Sequence, residues 1–369
     1  VTSVVSSPRL DVPSFYCPFP YAISPEADDV DRATVKWMDD FGLFRSPEQR
    51  QYLAAQRIGH CAALALPHGR GEGLRLAADY VFWLFTFDDM YCDERVHEMS
   101  LDAFVQFVSK LTRIVEAPTA RILTDDPWAE GLRDIRLRME RTATPVQLAR
   151  WVEEQRKYLF GLIWETANRL EGRIPPVDDY VTMWLNASAC GASVMFVDIS
   201  AGYEVSADDM ADSRVRALTE MANAIIAWDN DLISFNKESY RQHRYGYPQI
   251  QNLVSVLTSD GTSVEAASAE AVRMRDRVMT LFLKVADEVR ADASPELDRY
   301  VYGLGEWIRG YLAWAMSTGR YLDPRNPTDR IAADPVSMPG TWKERASDDR
   351  LDPLPLPAIT WWWDQLGTR

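Results

Sequence analysis

Apolar residues recur at three- and four-residue intervals through residues 30–44, 47–66, 72–94, 101–117, 127–142, 145–172, 177–200, 214–241, 264–291 and 294–322. That spacing puts the apolar positions on one face of a 3.6-residue repeat, so each stretch is expected to be a helix with a buried stripe. The stripes break at Gly, Pro or Ser clusters such as "LPHGRGEG" and "LTSDGTS", several of them just ahead of a plausible N-cap. Nothing alternates with a period of two, no short repeat appears, and no linker interrupts the middle of the chain. The pattern predicts an all-α protein with one helical domain over residues 26–321. Residues 1–25 are proline-punctuated and irregular, and residues 322–369 lose periodicity and become proline-rich. The termini are placed to fold over a site and keep water out of it.

Composition narrows the functional classes. A net charge of −15 argues against a nucleic-acid binder, because affinity for phosphate backbones rests on Lys and Arg. Cys17, Cys61, Cys92 and Cys190 are scattered without a CxxC spacing, so neither a disulfide framework nor a zinc site is expected. No apolar run approaches the length of a membrane span and the first residues do not read as a signal peptide, which makes the cytoplasm the expected location.

The candidate chemistry begins at "FWLFTFDDMYCDE", residues 82–94, where a long apolar helix runs into a group of acids. Adjacent aspartate pairs occur seven times in the chain, and most read as N-caps or solvated acids at helix starts. Asp88 and Asp89 close a helix instead, where the dipole disfavours carboxylates unless a cation compensates. At about 100° per residue, Asp88, Asp89 and Asp93 fall at about 0°, 100° and 140° and can share one side of the helix. Oxygen donors without His or Cys suit Mg²⁺ or Mn²⁺; the plainer reading is an acidic helix end in water. A second segment, "NDLISFNKESYR", places Asn230, Ser234 and Glu238 on one short stripe, with Lys237 and Arg241 beside it. Oxygen donors interleaved with cations suit a metal shared with a polyanion, since Mg²⁺ commonly sits between carboxylates and substrate phosphates.

With both segments in hand, the chain resembles the microbial class I terpene synthases, or terpene cyclases. "DDMYCDE" is similar to their aspartate-rich motif, and "NDLISFNKE" to their Asn-Asp-x-x-Ser-x-x-x-Glu motif about 140 residues later. "STGRY" resembles the Arg-Tyr pair near the end of their last core helix. The resemblance implies a single-domain α-helical bundle of the class I terpenoid synthase type around a deep apolar cavity. It implies three Mg²⁺ ions (or Mn²⁺), two held by Asp88 with Asp89 or Asp93 and the third by Asn230, Ser234 and Glu238. It further implies an isoprenyl diphosphate substrate whose leaving group meets Arg320, Tyr321 and Lys237.

Phe85, three residues before Asp88, and Trp314, six before Arg320, are the expected cavity aromatics, with Phe82, Phe87 and Trp228 as weaker candidates. One element departs from the family pattern. A diphosphate-sensing Arg about 46 residues before Asn230 is replaced by Trp184, and no Lys or Arg occurs from 174 to 213. Trp184 is then a core or cavity residue, and Arg241 or Arg173 is the candidate substitute for the Arg. The expected reaction is Mg-dependent ionisation and cyclisation of farnesyl diphosphate to a sesquiterpene by a monomer or homodimer. The alternatives are a diterpene synthase using geranylgeranyl diphosphate, a prenyltransferase, and a degenerate isoprenoid-binding protein. The second motif argues against the prenyltransferase, which typically carries a second aspartate-rich motif there.

Overall fold

The structure is a computed structural model that describes residues 10–94, 98–245, 251–321 and 342–367, and of residues 93, 94, 244 and 245 the backbone alone. The helices are α1 (Ala27–Phe41), α2 (Pro47–Ala54), α3 (Ile58–Ala65), α4 (Gly71–Phe87), α5 (Leu101–Glu116), α6 (Pro127–Thr142), α7 (Pro145–Glu171) and α8 (Val177–Ala187). They continue as α9 (Cys190–Val194), α10 (Phe196–Ser200), α11 (Ala207–Ala211), α12 (Ser213–Tyr245), α13 (Leu253–Leu257), α14 (Val264–Ala291) and α15 (Pro295–Ala315). A π-helical turn, Asp88–Glu94, follows α4 directly. Ser100, Asp126, Ser263 and Ser294 cap their helices by accepting a backbone N–H three residues on. Thr144 and Gln147 form a reciprocal capping box at the start of α7.

α4 runs through the core with Leu76, Tyr80 and Trp83 fully buried, and packs against α1, α3, α6 and α10. α12 packs against α14 and α15, and α15 lies along α3. The last contact depends on Gly310, where a Cβ would stand 2.1 Å from the Leu64 carbonyl oxygen. Phe82, Phe87 and Trp228 are core residues. Phe87 belongs to an aromatic cluster with Trp83, Tyr91 and Phe107.

Two stretches that read as continuous helices are broken. Residues 47–66 divide into α2 and α3 at Arg57, in the left-handed region at φ 53°. Residues 177–200 divide at Ala189, φ 61°. Neither left-handed residue is the Gly that usually takes that conformation; tertiary contacts stabilise the first break. The Gln56 carbonyl, released from helical bonding at the first break, accepts from Trp314 Nε1 at 2.9 Å and from Thr318 Oγ1 at 2.9 Å. Beside the second, Gly161 lets α7 approach the end of α8, since a Cβ there would lie 2.7 Å from the Ala187 nitrogen.

The flanking segments are clasped to the bundle. Phe15–Tyr16 (β1) pairs in parallel with Trp342–Lys343 (β2), and the Arg309 guanidinium stacks 3.4 Å over Trp342. Asp348 accepts from Arg277 at 3.0 and 2.5 Å, and Trp362 Nε1 donates to Glu220 at 2.9 Å. Residues 10–25 and 342–367 supply none of the wall of the cavity described below; the part of the expected cap in residues 322–341 lies outside the described residues. Among the described residues no single helix is long and apolar enough to cross a membrane. Only α8 with the bent α9–α10 reaches that length and composition, and its Val181, Met183, Val194 and Phe196 are buried in the core.

Candidate active site

A cavity opens between α4, α7, α8, α9, α12 and α15. α4 contributes Val81, Leu84, Phe85 and Asp88, the i, i+3, i+4, i+7 face of a helix. α12 contributes Ile226, Ala227, Asn230, Ser234, Lys237 and Glu238, again one stripe. Both stripes are apolar at one end and carry oxygen donors at the other, so the cavity has an apolar part and a polar part.

At the first motif the two neighbouring aspartates part company. Asp88 caps α4 and lines the cavity. Asp89 does not line it; it is buried and accepts from Arg320 Nη1 at 2.7 Å and Nη2 at 3.0 Å. Arg241 donates to it at 3.2 Å and Lys237 stands 3.9 Å away. Burial alone would raise the Asp89 carboxyl, but Arg320, then Lys237 and Arg241, hold it well below the usual carboxylate range. The expected convergence of three acids rests on α-helical angles, whereas the segment is a π turn with i→i+5 bonding, and of its first two acids only Asp88 lines the cavity. Asp89 is thus an anchor for cations in this structure, and the Asp93 side chain lies outside the described residues.

The second motif is held from behind. Asn230 points its amide nitrogen at two phenols, Tyr311 at 2.6 Å and Tyr321 at 2.8 Å. Glu238 accepts from the Asn252 amide at 3.1 Å, and Asn252 also donates to the Asp231 carbonyl at 2.9 Å. Asp231 is buried, accepting from the Tyr180 hydroxyl at 2.5 Å and the Leu253 N–H at 3.0 Å. Burial pushes its carboxyl well above the ordinary value, with the nearby Glu238 charge adding to the shift against the Tyr180 hydrogen bond. Asp229 is gripped by Arg275 at 2.8 and 3.2 Å. Ser234, 1 % exposed and on the cavity wall, has no hydrogen-bond partner for its hydroxyl oxygen. A buried hydroxyl is rarely left so, and between Asn230 and Glu238 it fits a hard cation taking oxygen donors. Among the described residues no three His, Cys, Asp or Glu side chains cluster as an all-protein metal cage. A donor set of one carboxylate, one amide and one hydroxyl instead suits an ion completed by water or substrate oxygens.

The remaining expected residues divide. Arg320, Tyr321 and Lys237 line the cavity with Phe85, and the Arg320 guanidinium lies 4.5 Å over the Phe85 ring. Burial raises the Tyr321 hydroxyl to about 12, partly offset by Arg320. Trp314 does not line the cavity. It sits behind Phe85, ring centroids 5.2 Å apart, with its N–H committed to Gln56. The wall positions on its helix are Trp307 and Tyr311, seven and three residues earlier on the same face. Trp184 lines the cavity, stacked 5.5 Å from Tyr180, with its indole N–H buried and unpartnered. Neither candidate substitute for the missing Arg reaches the wall: Arg241 turns to Asp89, and Arg173 is exposed and paired with Glu171 at 3.0 Å. Sequence reading missed Arg169, Gln251 and Asn252; only Asn252, opening α13 as an N-cap, left a local signal.

Comparison with known proteins gives a consistent outcome. The family model described as terpene synthase family 2, C-terminal metal binding, matches residues 79–281. The chain is 37% identical to a (+)-(1(10)E,4E,6S,7R)-germacradien-6-ol synthase of Streptomyces pratensis, over 99% of both chains. It is 35% identical to a (+)-T-muurolol synthase ((2E,6E)-farnesyl diphosphate cyclizing) of Streptomyces clavuligerus, over 95% of this chain and 81% of the other. Among solved structures, the SVS_A2 protein from ancestral sequence reconstruction superposes with a TM-score of 0.83 at 32% identity, covering 96% of this chain and 99% of that one. An a-eudesmol synthase shares the fold at a TM-score of 0.71 and 20% identity, over 85% of this chain and 100% of the other.

Proposed function

The chain belongs to the bacterial class I terpene synthases, lyases acting on isoprenyl diphosphates, and from that premise we propose that it cyclises farnesyl diphosphate to a sesquiterpene with release of inorganic diphosphate. The observation that carries the reading is the orphaned Ser234 hydroxyl, flanked by Asn230 and Glu238 on a cavity that also takes Asp88 and three basic side chains. Asp88 and the Asn230, Ser234 and Glu238 set are the residues that would hold Mg²⁺, three ions once diphosphate is present. Bound there, the metal supplies positive charge to a developing diphosphate and so eases rupture of the C–O bond.

The protein's own groups do the rest. Arg320 and Lys237 offer N–H donors where negative charge gathers on the leaving group. Phe85 gives the cation left behind an aromatic wall, and Val81, Leu84 and Ile226 add walls without nucleophiles. Water kept out of such a cavity cannot quench the cation early. The choice of a C15 substrate is supported by the muurolol synthase, whose name specifies farnesyl diphosphate.

The test is incubation of the protein with C10, C15 and C20 diphosphates, with Mg²⁺ or with EDTA, followed by gas chromatography–mass spectrometry. A cyclic C15 product that disappears with EDTA is expected. A cyclic product from the C20 substrate alone would overturn the substrate assignment, and equal turnover in EDTA would overturn the metal assignment.

A further inference from the structure

A diphosphate entering this cavity meets three basic side chains in its wall: Lys237, Arg320 and Arg169. The first two stand on the side of Asp89, which Arg320 already engages with two hydrogen bonds. Arg169 comes from elsewhere, the last turn of α7, and shares its wall with Trp184, Glu238 and Gln251. Past the exposed Arg173, no Lys or Arg follows until Arg214, so α8, α9 and α10 bring no positive charge to that wall.

Arg169 is also held in a fixed pose. Glu165, one turn earlier and buried, accepts from its Nε at 2.9 Å and from its Nη2 at 2.8 Å through a single carboxylate oxygen. The same turn of α7 is tied to the second motif. Asn168 donates to Gln251 at 3.3 Å, and the neighbouring Asn252 donates to Glu238 at 3.1 Å. Arg169 and Glu238 therefore sit on one hydrogen-bonded frame, and both line the cavity. Trp184, next to it on the wall, offers one neutral N–H and no charge.

Resting on the function proposed above, we propose that Arg169 binds the departing diphosphate from the α7 wall, with Glu165 as the positioning residue that fixes its guanidinium. This assigns the positive charge of that wall to a helix adjacent to the one that carries Trp184.

The assay is calorimetric titration of the full chain with inorganic diphosphate in Mg²⁺, with farnesol as an uncharged control ligand. Arg169→Gln should weaken diphosphate binding by about tenfold to a hundredfold, the range of a charge-assisted hydrogen bond, and leave farnesol binding unchanged. Arg169→Lys should fall between the two. Because Arg169→Gln strands a buried carboxylate and can fail to fold for that reason alone, the Glu165→Gln/Arg169→Gln variant removes both charges together and should show the same selective loss. Wild-type diphosphate affinity in the folded neutral variants would overturn the assignment and leave the terpene synthase reading standing. Equal losses for diphosphate and farnesol would overturn it in favour of a purely structural pair. A wild-type protein that bound no diphosphate with Mg²⁺ would remove the reading of the whole site, and this assignment with it.

Discussion

Asp88 and Asp89 are neighbours in sequence and differ in what each would lose by substitution. Asp88 faces the cavity, so Asp88→Asn should lower kcat/KM at least about a hundredfold with little change in melting temperature. Asp89→Asn leaves Arg320, 2 % exposed, without its bidentate partner. It should destabilise the fold by about 3–5 kcal/mol, visible as a lowered melting temperature even without substrate. Asn252→Ala frees one side of Glu238 and should reduce metal-dependent turnover by about tenfold to a hundredfold, as outer partners of metal ligands generally do. Tyr321, raised by burial to about 12, stays protonated across the working range. Its folded value lies above the unfolded one of about 10, so its contribution to stability is complete below that pH and is lost as pH rises through about 12. Any alkaline limb of the pH–rate profile below pH 10 should persist unchanged in Tyr321→Phe. The stripe of Asn230, Ser234 and Glu238 could be read from spacing because α12 is regular there. The fate of Asp89 could not, because a π turn is not announced by residue type.

Helices were legible wherever an apolar stripe met a capping residue, as at Ser100, Thr144 and Ser263. The breaks at Arg57 and Ala189 were not, since neither left-handed residue is a Gly and the first is stabilised by partners distant in sequence. The Gln56 carbonyl is satisfied by Trp314 and Thr318, which lie more than 250 residues away. This explains the misplaced cavity aromatic: Trp314 is drawn to that carbonyl, and the wall passes to Tyr311 and Trp307. The contact of α15 with α3 also gives a test at this scale. Gly310→Ala would push a methyl group into the Leu64–Ala65 backbone, which cannot swing aside as a side chain can. A loss of at least about 1–3 kcal/mol is expected, measured by chemical denaturation. Activity should fall with it, because α15 carries Tyr311 and leads into Arg320 and Tyr321.

For the whole molecule, the described parts of the pieces that the hydrophobic pattern left irregular, residues 10–25 and 342–367, are fastened to the helical bundle. Asp348 is one of the fasteners, through Arg277. Its hydrogen bonds from Arg350, and then from Arg277, outweigh burial and hold its carboxyl well below the usual range. A lowered value contributes stability at pH above about 4, the unfolded carboxyl's range, and loses it as acid protonates the folded group. Hydrogen exchange in residues 342–367 should therefore quicken on acidification before the bundle helices respond, and Asp348→Asn should show the faster exchange already at neutral pH. The parallel pairing of Phe15–Tyr16 with Trp342–Lys343 also bears on the order of events during synthesis. Translation reaches residue 342 only after every helix of the cavity has been made, and such a distant pairing must wait for its second strand. The newborn protein thus passes through a stage in which α1 to α15 can pack while β1 has no mate. Nascent chains cut off before residue 342 or after residue 367, each extended by a linker long enough to clear the ribosome, should show on brief proteolysis that cleavage near Phe15 is blocked only in the longer one.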